Sequence, residues 1–120
     1  MPDRPTQSIS AEDTFERDIV LSETESAIRR LTEKTWLAYR KDSMIARTAV
    51  LKLKTSEFAT LTRSLTPLTP PSSCDELIDL ALSLRKRVDL SPQQKFRLVG
   101  VGLSNFSDPE EEGTRHQLFL

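Results

Sequence analysis

Cysteine and histidine are nearly absent from this sequence, which has one of each in 120 residues, Cys74 and His116. One cysteine excludes an internal disulfide, and the pair cannot supply the about four ligands of a structural zinc site. Apolar runs are short, and the longest, Leu98 to Leu103, is far below the roughly 20 residues that cross a bilayer. No apolar stretch follows Met1–Pro5, so a secretory signal is not indicated. We therefore expect a cytoplasmic protein without a metal site or a membrane-inserted segment.

Charge of either sign is not in excess over the whole chain, whose formal net charge is -1. The segments differ, however. Residues 1–33 have four basic and eight acidic side chains, residues 34–106 have twelve basic and six acidic, and residues 107–120 have one basic and four acidic. A basic middle segment between acidic ends indicates a polyanionic partner for the middle, because the placement of charge governs binding to phosphates.

Two capping-box patterns predict where helices begin. Ser22-Glu23-Thr24-Glu25 and Ser73-Cys74-Asp75-Glu76 each place Glu three residues after Ser. Helical spacing then predicts one helix ending near Lys41 and a second ending at Arg87 or Val88. The apolar or neutral residues that give this spacing are Ala27, Ile28, Leu31, Thr35, Trp36 and Ala38 in the first helix, and Leu77, Ile78, Ala81, Leu84 and Val88 in the second.

Alternation with a period of two predicts strands in the rest of the chain. It is found at 51–54, 59–64 and 98–103, and more weakly at 7–11, while 55–58 suits a hairpin connection. The order β, α, β, β, α, β predicts an α+β fold with a four-stranded, largely antiparallel sheet and two helices on one face. We expect this domain to span residues 1–106, and residues 107–120 to form a flexible acidic tail.

Strand parity predicts that the sheet face away from the helices is small, hydroxylated and basic, without a carboxylate. Its members are Ser8, Ser10, Lys52, Lys54, Thr60, Thr62, Ser64, Gly100, Gly102 and Ser104, opposite a helix-facing set of Ile9, Ala11, Leu51, Leu53, Ala59, Leu61, Val99, Val101 and Leu103. Hydroxyls, ammonium groups and backbone N–H groups bind phosphate oxygens without reading sequence, and two glycines would let a bulky ligand approach the backbone. A one-sided sheet also has a polar solvent face by default, so parity leaves both interpretations open.

Catalytic chemistry finds no support in the residues. The acidic pairs Glu12/Asp13 and Glu110/Glu111 are placed at a strand end and in the tail, whereas acid–base catalysis needs carboxylates fixed in a pocket. His116 lies in the same tail, and Cys74 at a helix start is interpreted as a small structural residue. Neither spacing of a glycine-rich phosphate loop is present.

Four stretches of the sequence match a known family, and they are Gln7–Phe15, Ile45-Ala46-Arg47, Leu51–Lys54 followed by Phe58, and Phe96–Val101. With them, the chain resembles the C-terminal little finger, or polymerase-associated, domain of Y-family translesion DNA polymerases, most closely the bacterial members. The resemblance covers nearly the whole chain, from about Arg4 to Leu120, and includes the terminal peptide. The resemblance implies a domain whose open sheet lies in the major groove of primer–template duplex and touches phosphates on both strands.

The resemblance also implies site residues and partners. Matching positions give DNA contacts at Ser8, Lys52, Lys54, Thr62, Arg63, Arg97 and the backbone of Gly100, to which parity adds Ser10, Thr60 and Ser64. Gln117-Leu118-Phe119-Leu120 is similar to the terminal peptide with which bacterial polymerases bind the sliding clamp. The domain would be monomeric, without catalytic residues or a cofactor of its own. The parent polymerase, nucleoid-associated in the cytoplasm, would bind two magnesium ions in a palm outside this chain.

A second hypothesis is a free-standing adaptor that binds another protein and never touches DNA. It shares the terminal peptide with the first hypothesis but not the sheet face. A small hydrolase is remote, because no nucleophile–base pair can be assembled around the single histidine.

Overall fold

A computed structural model describes residues 7–109 of the chain and confirms the predicted βαββαβ order. The elements are β1 (Ile9–Val20), a short 3₁₀ helix (Leu21–Thr24), α1 (Glu25–Tyr39), β2 (Ile45–Thr55), β3 (Thr60–Leu65), α2 (Cys74–Arg85) and β4 (Lys95–Ser107). β4 ends at Ser107, and residues 110–120 of the predicted tail lie outside the described residues.

All four strands form one sheet in the order β1-β4-β2-β3, and each neighbouring pair is antiparallel. β4 is therefore central although it is last in the sequence, and β1 and β3 are the edges. The predicted hairpin between β2 and β3 is confirmed, since Phe58 N donates to Thr55 O at 2.9 Å and Thr55 N donates to Ala59 O at 2.9 Å. The α+β fold class predicted from the sequence is correct.

Both helices pack on the same face of the sheet, where α1 lies against β1 and β4 and α2 lies against β2 and β3. The core between the layers includes Ile28, Leu31, Leu51, Leu53, Leu77, Leu84, Phe96, Val99, Val101 and Leu103. Thr35 on α1 adds a polar contact, because its hydroxyl lies 2.9 Å from Leu31 O and 3.1 Å from Val101 O on β4. The predicted helix-facing residues Ala11 and Leu61 pack at the margin of this core, whereas Ala59 and Ala38 are exposed.

The two predicted capping boxes have different outcomes. Ser73 caps α2, and its hydroxyl accepts from Glu76 N at 3.1 Å. The box at Ser22 is wrong, because a 3₁₀ helix begins one residue earlier and the Glu23 carboxylate accepts from Val20 N at 3.0 Å. The chain has thus already turned before Ser22, and neither helix start there has a side-chain cap from a hydroxyl.

Three strands are much longer than the alternation predicted. β1 continues from Ile9 to Val20, β2 begins at Ile45 rather than at Leu51, and β4 spans Lys95–Ser107 rather than 98–103. β1 is an edge strand with three consecutive charged residues at 16–18, and its register with β4 is interrupted between Thr14 and Ile19. An edge strand with an irregular register, such as β1, does not need alternating apolar residues along its whole length. Its full extent therefore cannot be found from such alternation in the sequence.

Candidate nucleic-acid interface

The face of the sheet away from the helices is organised in rows that run across the strands. From β1 to β3 the register gives Ser10–Gly102–Val50–Ser64, then Glu12–Gly100–Lys52–Thr62, then Thr14–Leu98–Lys54–Thr60. Side chains in one row share a face because strand residues alternate with period two. We call these three rows, together with Ser8 and Ser104, the open face.

Most of the side chains predicted from parity lie on the open face. Ser8, just before β1, and Ser10 on β1 are exposed, and so are Thr60, Thr62 and Ser64 on β3. Lys52 and Lys54 lie between them on β2, each directly beside a threonine of β3 in the register. The arrangement therefore presents two ammonium groups flanked by hydroxyls, which is the combination that binds phosphate oxygens.

The prediction that the open face has no carboxylate is wrong. Glu12 lies on it, opposite Gly100, and its Oε2 is 3.5 Å from Lys52 Nζ. Its neighbour Asp13 points to the other side and pairs with Arg30 of α1. The error came from ending the first strand at Ala11, since one further residue of strand brings Glu12 onto the face.

The two glycines of β4 serve the packing of the neighbouring strand β1, and their role in letting a ligand approach the backbone stays a prediction. Gly100 and Gly102 are both buried, because the β1 side chains lie close beside them. A Cβ on Gly102 would be 3.1 Å from Ser10 Cβ and 3.2 Å from Ile9 O, and a Cβ on Gly100 would be 3.3 Å from Glu12 Cβ. The glycines thus let β1 pack tightly, and above them remains a depression of about 200 Å³ between Ser10, Glu12 and Lys52.

The two arginines carried over from the resemblance lie at the margins. Arg63 pairs with Leu51 in the register, so it is on the helix-side parity of edge strand β3, and its Nη1 donates to Thr62 O at 3.0 Å. Arg97 occupies a bulge where β4 has one residue more than β2. Its guanidinium carbon lies 4.1 Å from the centre of the Phe58 ring, within the range of a cation–π contact.

Several residues of this surface were missed from the sequence. Val50 and Leu98 belong to the open face by register. At one end of the face, the Thr48 hydroxyl lies 2.7 Å from the Thr66 hydroxyl and accepts a hydrogen bond from Asn105 Nδ2 at 3.2 Å. The signal for Val50 was available, since it precedes Leu51 in the alternation. Thr66 and Asn105 could not be found that way, because Thr66 follows β3 and Asn105 has a φ of 59° that breaks the alternation.

Cys74, at the start of α2, does not have the lowered pKa of a nucleophilic thiol. Burial raises the pKa of the Cys74 thiol, and the carboxylates of Glu33 and Asp75 raise it further, so the thiol is not activated by its helix. Within residues 7–109 no group of three or more His, Cys, Asp or Glu side chains could hold a metal ion. His116 and the Glu110/Glu111 pair lie outside the described residues, as do Gln117, Leu118, Phe119 and Leu120. In this described part, no helix is long and apolar enough to cross a membrane.

Comparison with known proteins assigns a family to this fold and surface. The family model described as "impB/mucB/samB family C-terminal domain" matches residues 6–119. DNA polymerase IV of Xanthomonas campestris pv. campestris is 57% identical over 109 residues, which cover 91% of this chain and 30% of that protein. DNA polymerase IV of Stenotrophomonas maltophilia is 56% identical over 109 residues, which cover 91% of this chain and 31% of that protein. The chain thus spans about a third of the length of these curated relatives.

Solved structures share the fold. The little finger domain of PolIV, in a complex with a β-clamp processivity factor, matches with a TM-score of 0.68 and 24% identity, covering 86% of this chain and 91% of that one. A DinB protein of Sulfolobus solfataricus matches with a TM-score of 0.69 and 14% identity, covering 84% of this chain and 29% of that one. With the family model matched along nearly its full length, the chain belongs to the impB/mucB/samB family of C-terminal domains, and its fold is that of the polymerase little finger.

Proposed function

We propose that this chain is the DNA-holding little finger of a Y-family translesion DNA polymerase, and that its open face grips primer–template duplex through phosphates. The observation that carries the proposal is the separation of the two sheet faces. Both helices pack on one face, and the other presents Lys52 and Lys54 between exposed hydroxyls. Such groups position a protein on a duplex without reading its sequence. The relatives named DNA polymerase IV support a DNA partner.

The contacts we assign to DNA are those of the open face and its margin. They are the side chains of Ser8, Ser10, Lys52, Lys54, Thr60, Thr62, Ser64, Arg63 and Arg97, with the backbone at Gly100. Because Gly100 is buried, we expect side chains rather than backbone groups to make most of the DNA contacts. Arg63 would reach phosphate from the edge of the sheet, since its register position is on the opposite parity.

The test is a titration of a fluorescent primer–template with this chain at several salt concentrations. The logarithm of affinity should fall with the logarithm of salt by about 0.9 per phosphate neutralised. Lys52→Ala with Lys54→Ala should weaken binding about tenfold for all sequences alike and reduce that slope by up to about 1.8. The charge-matched control is Lys34→Ala with Lys86→Ala, which removes two exposed lysines from α1 and the end of α2.

Three results would contradict the proposal. They are binding that does not respond to salt, equal losses in the two double variants, and a loss confined to one DNA sequence. Absence of DNA binding together with binding to a protein partner would favour the free-standing adaptor instead.

We further propose that Gln117–Leu120 docks on the sliding clamp. A short segment with apolar anchors can enter a hydrophobic cleft and become ordered on binding, with the Gln117 amide fixing its register. The solved complex of a PolIV little finger with a β-clamp supports such a partner. Leu118→Ala with Phe119→Ala should abolish binding to purified clamp while leaving DNA affinity unchanged, and clamp binding that survives the change would exclude the peptide.

The activity of the parent protein follows from the same proposal. The relatives are about three times as long as this chain, so a palm with two magnesium ions and the polymerase chemistry would belong to the remainder of the parent. That parent would act on nucleoid DNA in the bacterial cytoplasm. The chain by itself is expected to bind DNA as a monomer and to incorporate no nucleotide, which a primer-extension assay measures directly.

A further inference from the structure

The carboxylate of Glu12 stands among the groups that we assign to phosphate binding. Its row on the open face is Glu12–Gly100–Lys52–Thr62, at the middle of the three rows. Gly100 contributes no side chain, so Glu12 and Lys52 face each other across it, with Glu12 Oε2 3.5 Å from Lys52 Nζ. A carboxylate at this place repels the phosphates for which the neighbouring hydroxyls and lysines are suited.

Both partners of the pair are accessible, since the Lys52 side chain is 43% exposed and the Glu12 side chain 53%. An exposed ion pair of this kind contributes little to folding stability. Its effect on a ligand can be larger, because a phosphate must compete with the carboxylate for the same ammonium group. Lys54, in the next row, faces Leu98 and Thr14 instead of a carboxylate.

We propose that Glu12 is an internal competitor for Lys52 and weakens the grip on DNA at the centre of the open face. The two lysines then differ in role: Lys54 offers its charge to phosphate directly, whereas Lys52 must first leave Glu12. This inference rests on the proposed function, since it concerns the strength of the same DNA contact. It makes Glu12 a residue that sets affinity, and therefore how readily the duplex can slide over the sheet.

The test compares Glu12→Gln in two backgrounds, with and without Lys52→Ala, using the fluorescent duplex and the salt series. Glu12→Gln should tighten binding about threefold when Lys52 is present and raise the salt slope by less than about 0.9, because Lys52 already makes part of its phosphate contact in the original protein. In the Lys52→Ala background the gain should fall below about twofold and the slope should not rise. Glu33→Gln, which removes an exposed carboxylate from α1, is the matched control and should change neither quantity.

Equal gains in the two backgrounds, or no gain with Lys52 present, would overturn the inference. A separate measurement needs no DNA: the NMR signal of the Lys52 ammonium group should move on Glu12→Gln and stay unchanged on Glu33→Gln. If that signal moves while the original protein binds no duplex, the proposed function fails and the pairing stands. If DNA binding is normal and the signal does not move, the competition between Glu12 and phosphate is refuted.

Discussion

Along β2, neighbouring residues belong to two different environments. Leu51 and Leu53 are about 1% exposed beneath the helices, while Lys52 and Lys54 lie half-exposed on the open face. The same division is found on β1, where Asp13 pairs with α1 and Glu12 with Lys52. Because successive side chains of a strand point to opposite faces, stability and binding depend on separate sets of residues in this sheet. Substitutions should therefore affect one property without the other.

The largest expected effect is on the covered face. Phe96 is fully buried in the core, and Phe96→Ala should lower the free energy of unfolding by about 3–5 kcal/mol, because it removes a large apolar side chain and leaves a cavity. Lys54→Ala on the open face should change it by less than about 0.5 kcal/mol. Urea unfolding measures both. A similar cost for the two variants would break the distinction between the faces.

A smaller effect is expected from the two glycines, which belong to the open face but serve the packing of β1. Gly102→Ala should lower the free energy of unfolding by about 1 kcal/mol, because the new Cβ meets both a side chain and a carbonyl oxygen of β1. Gly100→Ala meets one side-chain carbon at 3.3 Å and should be near neutral. Thermal unfolding of the two variants measures the difference. A larger loss of stability in Gly100→Ala than in Gly102→Ala would contradict the packing of β1 against Gly102 described above.

Ser22 and Ser73 were both predicted to cap a helix, and only Ser73 does so in the structure. Ser73→Ala should lower the free energy of unfolding by about 1 kcal/mol, because it removes the bond from Glu76 N that caps α2. Ser22→Ala should cost less than about 0.3 kcal/mol, since the Ser22 hydroxyl does not cap that start. Chemical denaturation of the two variants is the measurement. An equal loss in the free energy of unfolding for the two variants would indicate that Ser22 caps a helix after all.

The smallest expected effect concerns pH. Hydrogen bonds from the Ser72 hydroxyl and the Ser72 backbone N–H lower the pKa of Glu76 below its ordinary value of 4.5. A lowered carboxyl pKa stabilises the fold above the unfolded pKa, and the contribution is lost as the pH falls through the folded pKa.

The original protein should therefore lose more stability than Ser72→Ala when the pH is lowered from 4.5 downward. Urea unfolding at descending pH measures this difference. Parallel pH profiles for the two proteins would exclude the contribution of the Ser72 hydroxyl.

The elements that could be predicted from the sequence are those with a local residue pattern, such as apolar alternation or a helix cap, that matches their structure. The alternation of Val99, Val101 and Leu103 and the cap at Ser73 are local signals, and both are confirmed. The part of β1 after Ala11 has no such signal, because polar residues lie on both faces of this edge strand. Since Glu12 lies in this extension, the one feature of the open face that opposes phosphate binding was missed with it.

Register was the second limit. Parity within a strand predicted which residues share a face, but not which residues of other strands lie beside them. The pairing of Lys52 with Glu12 depends on β4 lying between β1 and β2, an order that no local pattern specifies. The contact of Arg97 with Phe58 depends on a bulge in β4 and on a φ of 70° at Phe58, and both are results of tertiary packing.

The central claim is that duplex DNA binds the open face and not the helices, and an NMR titration tests it most directly. Short duplex DNA is added to the labelled chain, and the backbone amide signals are followed at low and high salt. The largest shifts should fall on Lys52, Lys54 and Thr62 and disappear at high salt, with little change along α1 (Glu25–Tyr39). Shifts concentrated on α1 or α2, with the open face unchanged, would contradict the account.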